Sequence, residues 1–353
     1  MLALLAWGCG EDAAGSANNA PPSEEASCDF DVPLLGDAPN RAVLKLAVSS
    51  DGLRVVFADS AGVTLVGLAD GAEQSWTPQD SALASAETAA LLIDDTNALW
   101  VGHGTAICDG TAQGRCGLSI LDAGAQDWRV LCVENQPDLL DDRVLALGQA
   151  SDGQIWVGTA SGATRTSDGQ GFLPYFDWQD CLNPGQRCDP LFSFSVADLA
   201  FGDADVWLAI EQQAIGVSPK PGGVARRLED GRTDTWDRDQ GLPSNRAALV
   251  AITASGQAWA GRLYGAAVLN AEDNTWRLDF EEPIIDMAAH GDDLWVITEA
   301  GTVHRKDPQG QWSAIEGLPG NATAVAAGGD MVCVGSDAIL ACYNTDTCRW
   351  SAH

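Results

Sequence analysis

Few side chains in this sequence are arranged for catalysis. It contains four histidines, His103, His290, His304 and His353, and no metalloprotease, nucleophile-elbow or phosphate-loop motif. Each histidine fits a surface or hydrogen-bonded position better than a general base. We therefore expect no catalytic residue, no cofactor and no metal site, with enzymatic activity kept as an alternative.

The ten cysteines indicate an oxidising compartment, because several lie in loops or hairpins and none forms a Cys-x-x-Cys metal motif. Two pairs are candidate disulfides: Cys181 and Cys188 bracket a compact loop, and Cys342 and Cys348 flank a turn.

Another candidate disulfide joins Cys116 and Cys132, which lie symmetrically about a turn. Cys108 competes with Cys132 for Cys116 through a short loop, and the sequence leaves that choice open. Cys333 falls in an apolar phrase, at the position of Val157 in another repeat, which predicts a free buried thiol.

The N-terminus is similar to a bacterial lipoprotein signal. Residues 1–8 form a short apolar run before Cys9, which we expect to carry the lipid. Residues 10–40 are rich in Ala, Ser, Asn, Pro and Glu and predict a disordered tether. We therefore expect an exported protein of the periplasm or cell surface, anchored to the membrane only through its lipid.

The chain is strongly acidic, with 50 Asp and Glu against 19 Lys and Arg and a formal charge of −31. Such a surface repels phosphate backbones, so nucleic acid is a poor partner. We expect a monomer with an acidic, solvated surface.

A tryptophan recurs in one short phrase, such as Ala-Leu-Trp-Val-Gly around the first copy. Spacings of 36 to 56 residues mark a repeat architecture. The copies place Trp100, Trp156, Trp207, Trp259 and Trp295 at one position, with Val55 and Val332 there in two degenerate repeats.

Each repeat reads as four short strands separated by turns. In residues 143–172, apolar runs alternate with Ser-Asp-Gly and Ser-Gly turn signals. A second aromatic closes every unit, at Trp76, Trp128, Phe172, Trp236, Trp276, Trp312 and Trp350. Seven such units predict an all-β, seven-bladed β-propeller of four-stranded antiparallel blades over residues 41–353, with these aromatics between blades.

The phrases also resemble a known family. Residues 140–147 and 152–159 are similar to the two-component-regulator propeller repeat, and the Gly-Leu-Pro at 241–243 and 317–319 resembles its entry to the first strand. The resemblance covers roughly residues 41–352. It implies a propeller of the kind that often forms the periplasmic sensor of a hybrid histidine kinase and binds ligands such as oligosaccharides. This sequence holds no kinase and no later membrane span, so we expect a stand-alone lipoprotein.

Three long segments predict the ligand-binding face. Residues 103–116 and 208–222 connect second and third strands, and residues 173–195 connect two blades. In a propeller, both kinds of connection leave by the same face, and long loops on a rigid scaffold concentrate binding residues.

Aromatic and basic side chains on that face are the candidate ligand contacts. The segment 173–195 supplies aromatics among carboxylates and amides, a composition that suits sugar stacking or a protein hot spot; the alternative is a loop packed on itself. Other blades add basic and aromatic residues around the mouth. The candidates are Tyr175, Phe176, Trp178, Arg143, Arg246, Arg262, Tyr264 and His103.

Three functions follow. The leading one is a non-catalytic binding propeller of the cell envelope that recognises a glycan, a peptide or a partner protein. The second is a lyase or hydrolase, since residues 301–308 are similar to repeats of streptogramin-lyase-type propellers, although no His and Glu here match that family's catalytic pair. The third is a purely structural envelope lipoprotein. Fold alone does not choose among them.

Overall fold

The computed structural model describes residues 42–104, 117–177, 195–211, 213–215, 218–220 and 222–353. Within them the chain forms seven four-stranded antiparallel sheets, each with its strands in sequence order, and one small two-stranded hairpin. The predicted seven-bladed β-propeller is confirmed. No helix of the described residues is long and apolar enough to cross a membrane.

Blades 1 to 3 occupy the first part of the ring. Blade 1 consists of β1 (Lys45–Val48), β2 (Arg54–Ala58), β3 (Val63–Gly67) and β4 (Glu73–Trp76). Blade 2 consists of β5 (Thr88–Ile93), β6 (Leu99–His103), β7 (Gly117–Leu121) and β8 (Arg129–Leu131). Blade 3 consists of β9 (Val144–Gln149), β10 (Ile155–Thr159), β11 (Gly162–Thr166) and β12 (Leu173–Asp177).

Blade 4 carries the extra hairpin. It consists of β13 (Ser195–Phe201), β14 (Asp205–Glu211), β17 (Gly223–Leu228) and β18 (Thr233–Trp236), with β15 (Gln213–Ile215) and β16 (Ser218–Lys220) as the hairpin between its second and third strands. Single 3₁₀ turns at Pro137–Leu139 and Arg238–Gln240 precede blades 3 and 5.

Blades 5 to 7 complete the ring. Blade 5 consists of β19 (Leu249–Ile252), β20 (Ala258–Arg262), β21 (Gly265–Asn270) and β22 (Thr275–Phe280). Blade 6 consists of β23 (Ile284–His290), β24 (Asp293–Thr298), β25 (Val303–Lys306) and β26 (Trp312–Ile315). Blade 7 consists of β27 (Ala322–Gly328), β28 (Met331–Ser336), β29 (Leu340–Asn344) and β30 (Arg349–Ala352).

Seven hydrophobic clusters form the core, one between each pair of neighbouring blades. Each contains one residue from the centre of a second strand, directed at the next blade. These residues are Val56, Trp100, Trp156, Trp207, Trp259, Trp295 and Cys333. The five tryptophans are at most 4% exposed, as the sequence predicts. We call this position the interface slot.

The sequence prediction of the slot is wrong by one residue in blades 1 and 7. Val55 packs in the cluster with blade 7, and Val332 packs in the cluster with blade 6. Their neighbours Val56 and Cys333 face forward instead. Successive side chains of a strand point to opposite faces, so a shift of one residue reverses the blade that each side chain meets.

The same shift explains an error about Cys333. It is not a free thiol but forms a disulfide with Cys342, which lies directly opposite on β29. The predicted pairing of Cys342 with Cys348 is therefore wrong. Cys342 faces Ser351 on the last strand, and Cys348 is itself disulfide-bonded.

Cys132 is a free, half-buried thiol, which corrects its predicted bridge to Cys116. Leu118 pairs with Leu131 in blade 2, so this antiparallel register aligns Cys132 with Gly117 rather than with residue 116. Cys108, Cys116, Cys181 and Cys188 lie outside the described residues, as do residues 1–40 with Cys9. The lipidation, the tether and the Cys181–Cys188 bridge remain predictions.

Polar contacts also join neighbouring blades. Val43 N donates to Ser336 O at 2.8 Å and joins blade 1 to blade 7. Two half-buried carboxylates link other blades: Asp198 accepts from Val250 N, and Asp286 accepts from Val325 N, each at 2.9 Å.

Candidate functional site

The strand order gives the propeller two different faces. Connections between second and third strands, and between blades, all leave by one face, which we call the loop-rich face. The turns between first and second and between third and fourth strands lie on the other, which we call the hairpin face. β6, β14 and β12 end on the loop-rich face at His103, Glu211 and Asp177, which lie within the three predicted long segments.

The blade 3 to blade 4 connection is shorter than the sequence suggests. Leu173–Asp177 forms β12, the outer strand of blade 3, rather than the beginning of a loop. Pro174 argues against a strand in the sequence, because proline has no N–H to donate. An outer strand of a blade nevertheless tolerates proline. Phe176 belongs to the strand, opposite Ala163, and Trp178 lies outside the described residues.

Tyr175 packs at the boundary between blades 3 and 4, not at the mouth of the ring. Its ring meets Trp156 edge-on at 4.7 Å between centroids, and the Arg227 guanidinium lies 4.9 Å from its centroid. This half-buried arrangement fits the alternative of a residue packed on the blade edges.

His103 is completely buried, so its position corrects the expectation that it contacts a ligand. Nε2 lies 2.9 Å from Ser119 Oγ and Nδ1 lies 3.3 Å from Glu87 O. The pKa of His103 is lowered to about 4, because burial disfavours the charged imidazolium. The hydrogen bond to Glu87 O acts in the opposite direction but is the smaller effect. A neutral imidazole that links two strands of blade 2 is a structural residue.

Arg143 reaches the loop-rich face but is held by Asp141. Its Nε and Nη2 lie 3.1 Å from the two carboxylate oxygens, and Ser161 Oγ donates to the same carboxylate at 2.7 Å. Burial alone would raise the pKa of Asp141, but the hydrogen bonds from Arg143 and Ser161 outweigh it and lower that pKa. The ion pair fixes the entry to blade 3.

Arg246, Arg262 and Tyr264 come together on the loop-rich face of blade 5. They line one shallow depression, and all three side chains are exposed, Tyr264 by 59%. Leu263, which the sequence reasoning missed, lies beside them and is 45% exposed. We call Arg246, Arg262, Leu263 and Tyr264 the blade 5 patch.

The backbone that carries the patch is well fixed. Arg246 N donates to Ser244 Oγ at 3.0 Å, and buried Leu242 and Ala247 anchor the connector in the core. Gly265 ends the tight turn at φ 113°, where a Cβ would lie 1.8 Å from Phe280 O, so only glycine fits. The patch therefore stands on rigid elements.

A large cup opens on the hairpin face, opposite the predicted site. It has a volume of about 980 Å³ and takes its walls from six of the seven blades. On its wall Arg226 pairs with Asp205, and its guanidinium lies 5.2 Å from the centroid of the Trp207 ring. No sequence signal marks this cup, because its lining residues come from separate strands and turns of six blades, mostly blades 4 and 5.

The other described histidines lie apart from one another. His290 Nε2 is 3.2 Å from Thr345 Oγ1, and the His304 ring packs 5.0 Å from Phe280 between centroids. Among the described residues, no three His, Cys, Asp or Glu side chains are grouped as metal ligands.

Comparison with known proteins supports the fold. Residues 138–161 match the family described as "Two component regulator propeller". No curated protein sequence matches the chain.

Three solved structures show the range of similar propellers. One is the extracellular domain of a putative hybrid two component system from B. thetaiotaomicron, with a TM-score of 0.60, 15% identity and coverage of 84% of this chain and 39% of that one. The second is a streptogramin B lyase, with a TM-score of 0.60, 13% identity and coverage of 90% and 96%. The third is PorZ, a surface component of the type-IX secretion system of Porphyromonas gingivalis, with a TM-score of 0.57, 12% identity and coverage of 90% and 39%.

The chain thus spans about two fifths of the first of these relatives. At such identities the similarity shows the fold alone. Together with the sheet topology, it defines the class: a seven-bladed β-propeller, in which residues 138–161 match the two-component-regulator propeller repeat.

Proposed function

We propose that this propeller is a non-catalytic binding protein of the cell envelope, which recognises a glycan, a peptide or a partner protein through its loop-rich face. The hairpin of β15 and β16 carries this proposal. It extends the connection between the second and third strands of blade 4, where blades 3, 5 and 6 use tight turns. The ring does not need this hairpin to close, so binding is the role that best accounts for it.

Removal of the hairpin tests the proposal. In the full-length protein, residues 212–221 are replaced by the Leu-Tyr turn of blade 5, and a control variant alters the hairpin-face turn at Asp273 and Asn274. Wild type, variant and control are applied to a glycan array and to solubilised envelope extract. We expect the hairpin variant alone to lose the retained ligand. Equal retention by all three, or no retention by wild type, would overturn the proposal.

Export with a lipid anchor at Cys9 belongs to the same proposal. It rests on the apolar residues 1–8 and the tether-like composition of residues 10–40. Radioactive palmitate fed to cells that produce the native chain should label wild type and not Cys9→Ser. Unlabelled wild type, or a labelled Cys9→Ser variant, would refute the lipid anchor at Cys9.

The central cup is a second candidate place for a ligand. Its volume of about 980 Å³ lies within the range of small-molecule sites. A ligand bound there would survive the loss of the hairpin, so the same experiment separates the two faces.

A further inference from the structure

We propose that the blade 5 patch docks an acidic segment of a partner protein. The proposal rests on the proposed function, because it places a contact on the loop-rich face, and it adds the chemistry of the partner.

The two arginines of the patch are unpaired, whereas several other basic side chains of the described residues pair with aspartates. Neither the Arg246 nor the Arg262 guanidinium has an ion pair or a side-chain hydrogen bond among the described residues. By contrast, the described residues hold seven ion pairs between basic and aspartate side chains: Arg129–Asp122, Arg143–Asp141, Arg226–Asp205, Arg232–Asp230, Arg277–Asp273, Arg305–Asp293 and Lys306–Asp279.

The turn that carries Arg262 departs from its counterparts in other blades. The corresponding residues Thr159, Thr298 and Ser336 are buried, at most 1% exposed. Their hydroxyls bond within the turn, as Thr159 Oγ1 does to Gly162 O at 3.0 Å. Blade 5 replaces this hydroxyl by an exposed arginine, followed by exposed Leu263 and Tyr264. Blade 5 thus lacks the buried hydroxyl that bonds within the turn in the other three blades, which points to a role outside the chain.

The shape of the patch suits a protein surface rather than a small molecule. The depression encloses about 10 Å³, far less than a ligand pocket needs. Exposed arginine and tyrosine beside an apolar residue is the composition of interface hot spots.

Carboxylates are the groups that would pair with these arginines, since a guanidinium binds a carboxylate through two parallel hydrogen bonds. The chain as a whole repels acidic partners, but repulsion from charges farther than about 8 Å is screened at physiological salt. Exposed Glu281 and Glu282 lie close to the patch, since the Glu282 backbone oxygen would be 3.2 Å from a Cβ on Gly265, so the two arginines must outweigh them locally.

Arginine side-chain NMR tests the proposal on the full-length protein with ¹⁵N-labelled arginine. The probes are a blocked peptide of alternating Asp and Glu and its twin of alternating Asn and Gln. We expect the acidic peptide to shift the Nε–Hε signals of Arg246 and Arg262 at millimolar concentration, and the amide twin to leave them in place. Arg277, which pairs with Asp273, is the internal reference.

Variants complete the test. Arg262→Gln should reduce the shift of the Arg246 signal several-fold, while Arg277→Gln should not. No shift with the acidic peptide, equal shifts with both peptides, or an equal response of Arg277 would overturn the proposal. If these signals stay unmoved while the hairpin variant still loses its ligand, the docking patch is wrong and the proposed function stands.

Discussion

Cys333 and Cys342 form a disulfide across two neighbouring strands of blade 7, with 4.0 Å between their Cα atoms. Both sulfurs are completely buried at the interface with blade 1, where Cys333 occupies the slot that tryptophan fills in five other blades. Blades 7 and 1 are the two without that tryptophan. The disulfide therefore stiffens blade 7 at its interface with blade 1, where the ring closes.

Removing this disulfide should destabilise the protein. We expect Cys333→Ala with Cys342→Ala to lower the free energy of unfolding by roughly 2–4 kcal/mol, the usual range for a native disulfide. Urea denaturation measures the change, and Cys132→Ala, which removes a free thiol, is the matched control. Equal midpoints for the double variant and the control would refute this stabilising role.

Trp156 should be essential to the contact between blades 3 and 4. Its side chain is 4% exposed and packs on Tyr175, with the Arg165 guanidinium 5.9 Å from its centroid. Trp156→Ala should reduce the free energy of unfolding by roughly 3–5 kcal/mol, the usual range when truncation of a large buried aromatic side chain leaves a cavity. Leu53→Ala, at a side chain 57% exposed, should have little effect. A Trp156→Ala protein as stable as wild type would contradict the claim that the interface slot holds neighbouring blades together.

Two tyrosines should respond in opposite ways. Tyr175→Ala should lower stability by about 1–3 kcal/mol, because the ring packs between blades, whereas Tyr264→Ala should change it by less than about 0.5 kcal/mol. Thermal melts of both variants check this pair. A large loss of stability for Tyr264→Ala would show that its ring is part of the core and not of a binding surface.

Stability should depend on pH through Asp198. The pKa of this carboxyl is raised to about 7, mainly because burial removes its hydration and also because Asp286 is near; the hydrogen bonds from Val250 N and Leu199 N oppose this shift. Its pKa in the unfolded chain is near 3.9. Because the folded state holds the proton more tightly, this contribution is fully present below about pH 4 and is lost as the pH rises through about 7.

Asp198→Asn should remove that contribution. Urea midpoints of wild type should fall more steeply than those of the variant between about pH 4 and about pH 7. Comparing the two proteins cancels the general effect of acid on a chain of charge −31. Parallel pH profiles would show that Asp198 titrates normally.

The sequence predicts the blades well, because the repeated tryptophan marks them. It predicts the site poorly, because contacts with other strands decide which side chains are exposed. A tryptophan fixes the strand register, so the slot is predictable in blades 2 to 6. Without one, Val55 and Val56 are equally apolar, and only the packing of the next blade distinguishes them.

Tyr175 shows why the candidate site is harder to predict from the sequence. Leu-Pro at 173–174 is typical of a loop, and only its pairing with Arg165 and Thr164 shows an edge strand. The burial of His103 depends in the same way on Ser119, a residue of the next strand. Arg262 could be recognised in the sequence, because a comparison of the repeats places it where Thr159 and Thr298 stand.

Photo-crosslinking from the two faces tests binding through the loop-rich face most directly. Benzoylphenylalanine is placed at Tyr264 on that face, or at Ser255 on the wall of the cup, and the full-length protein is irradiated in its own cells. We expect adducts from position 264 and none from position 255. Adducts from position 255 alone, or from neither position, would contradict the account.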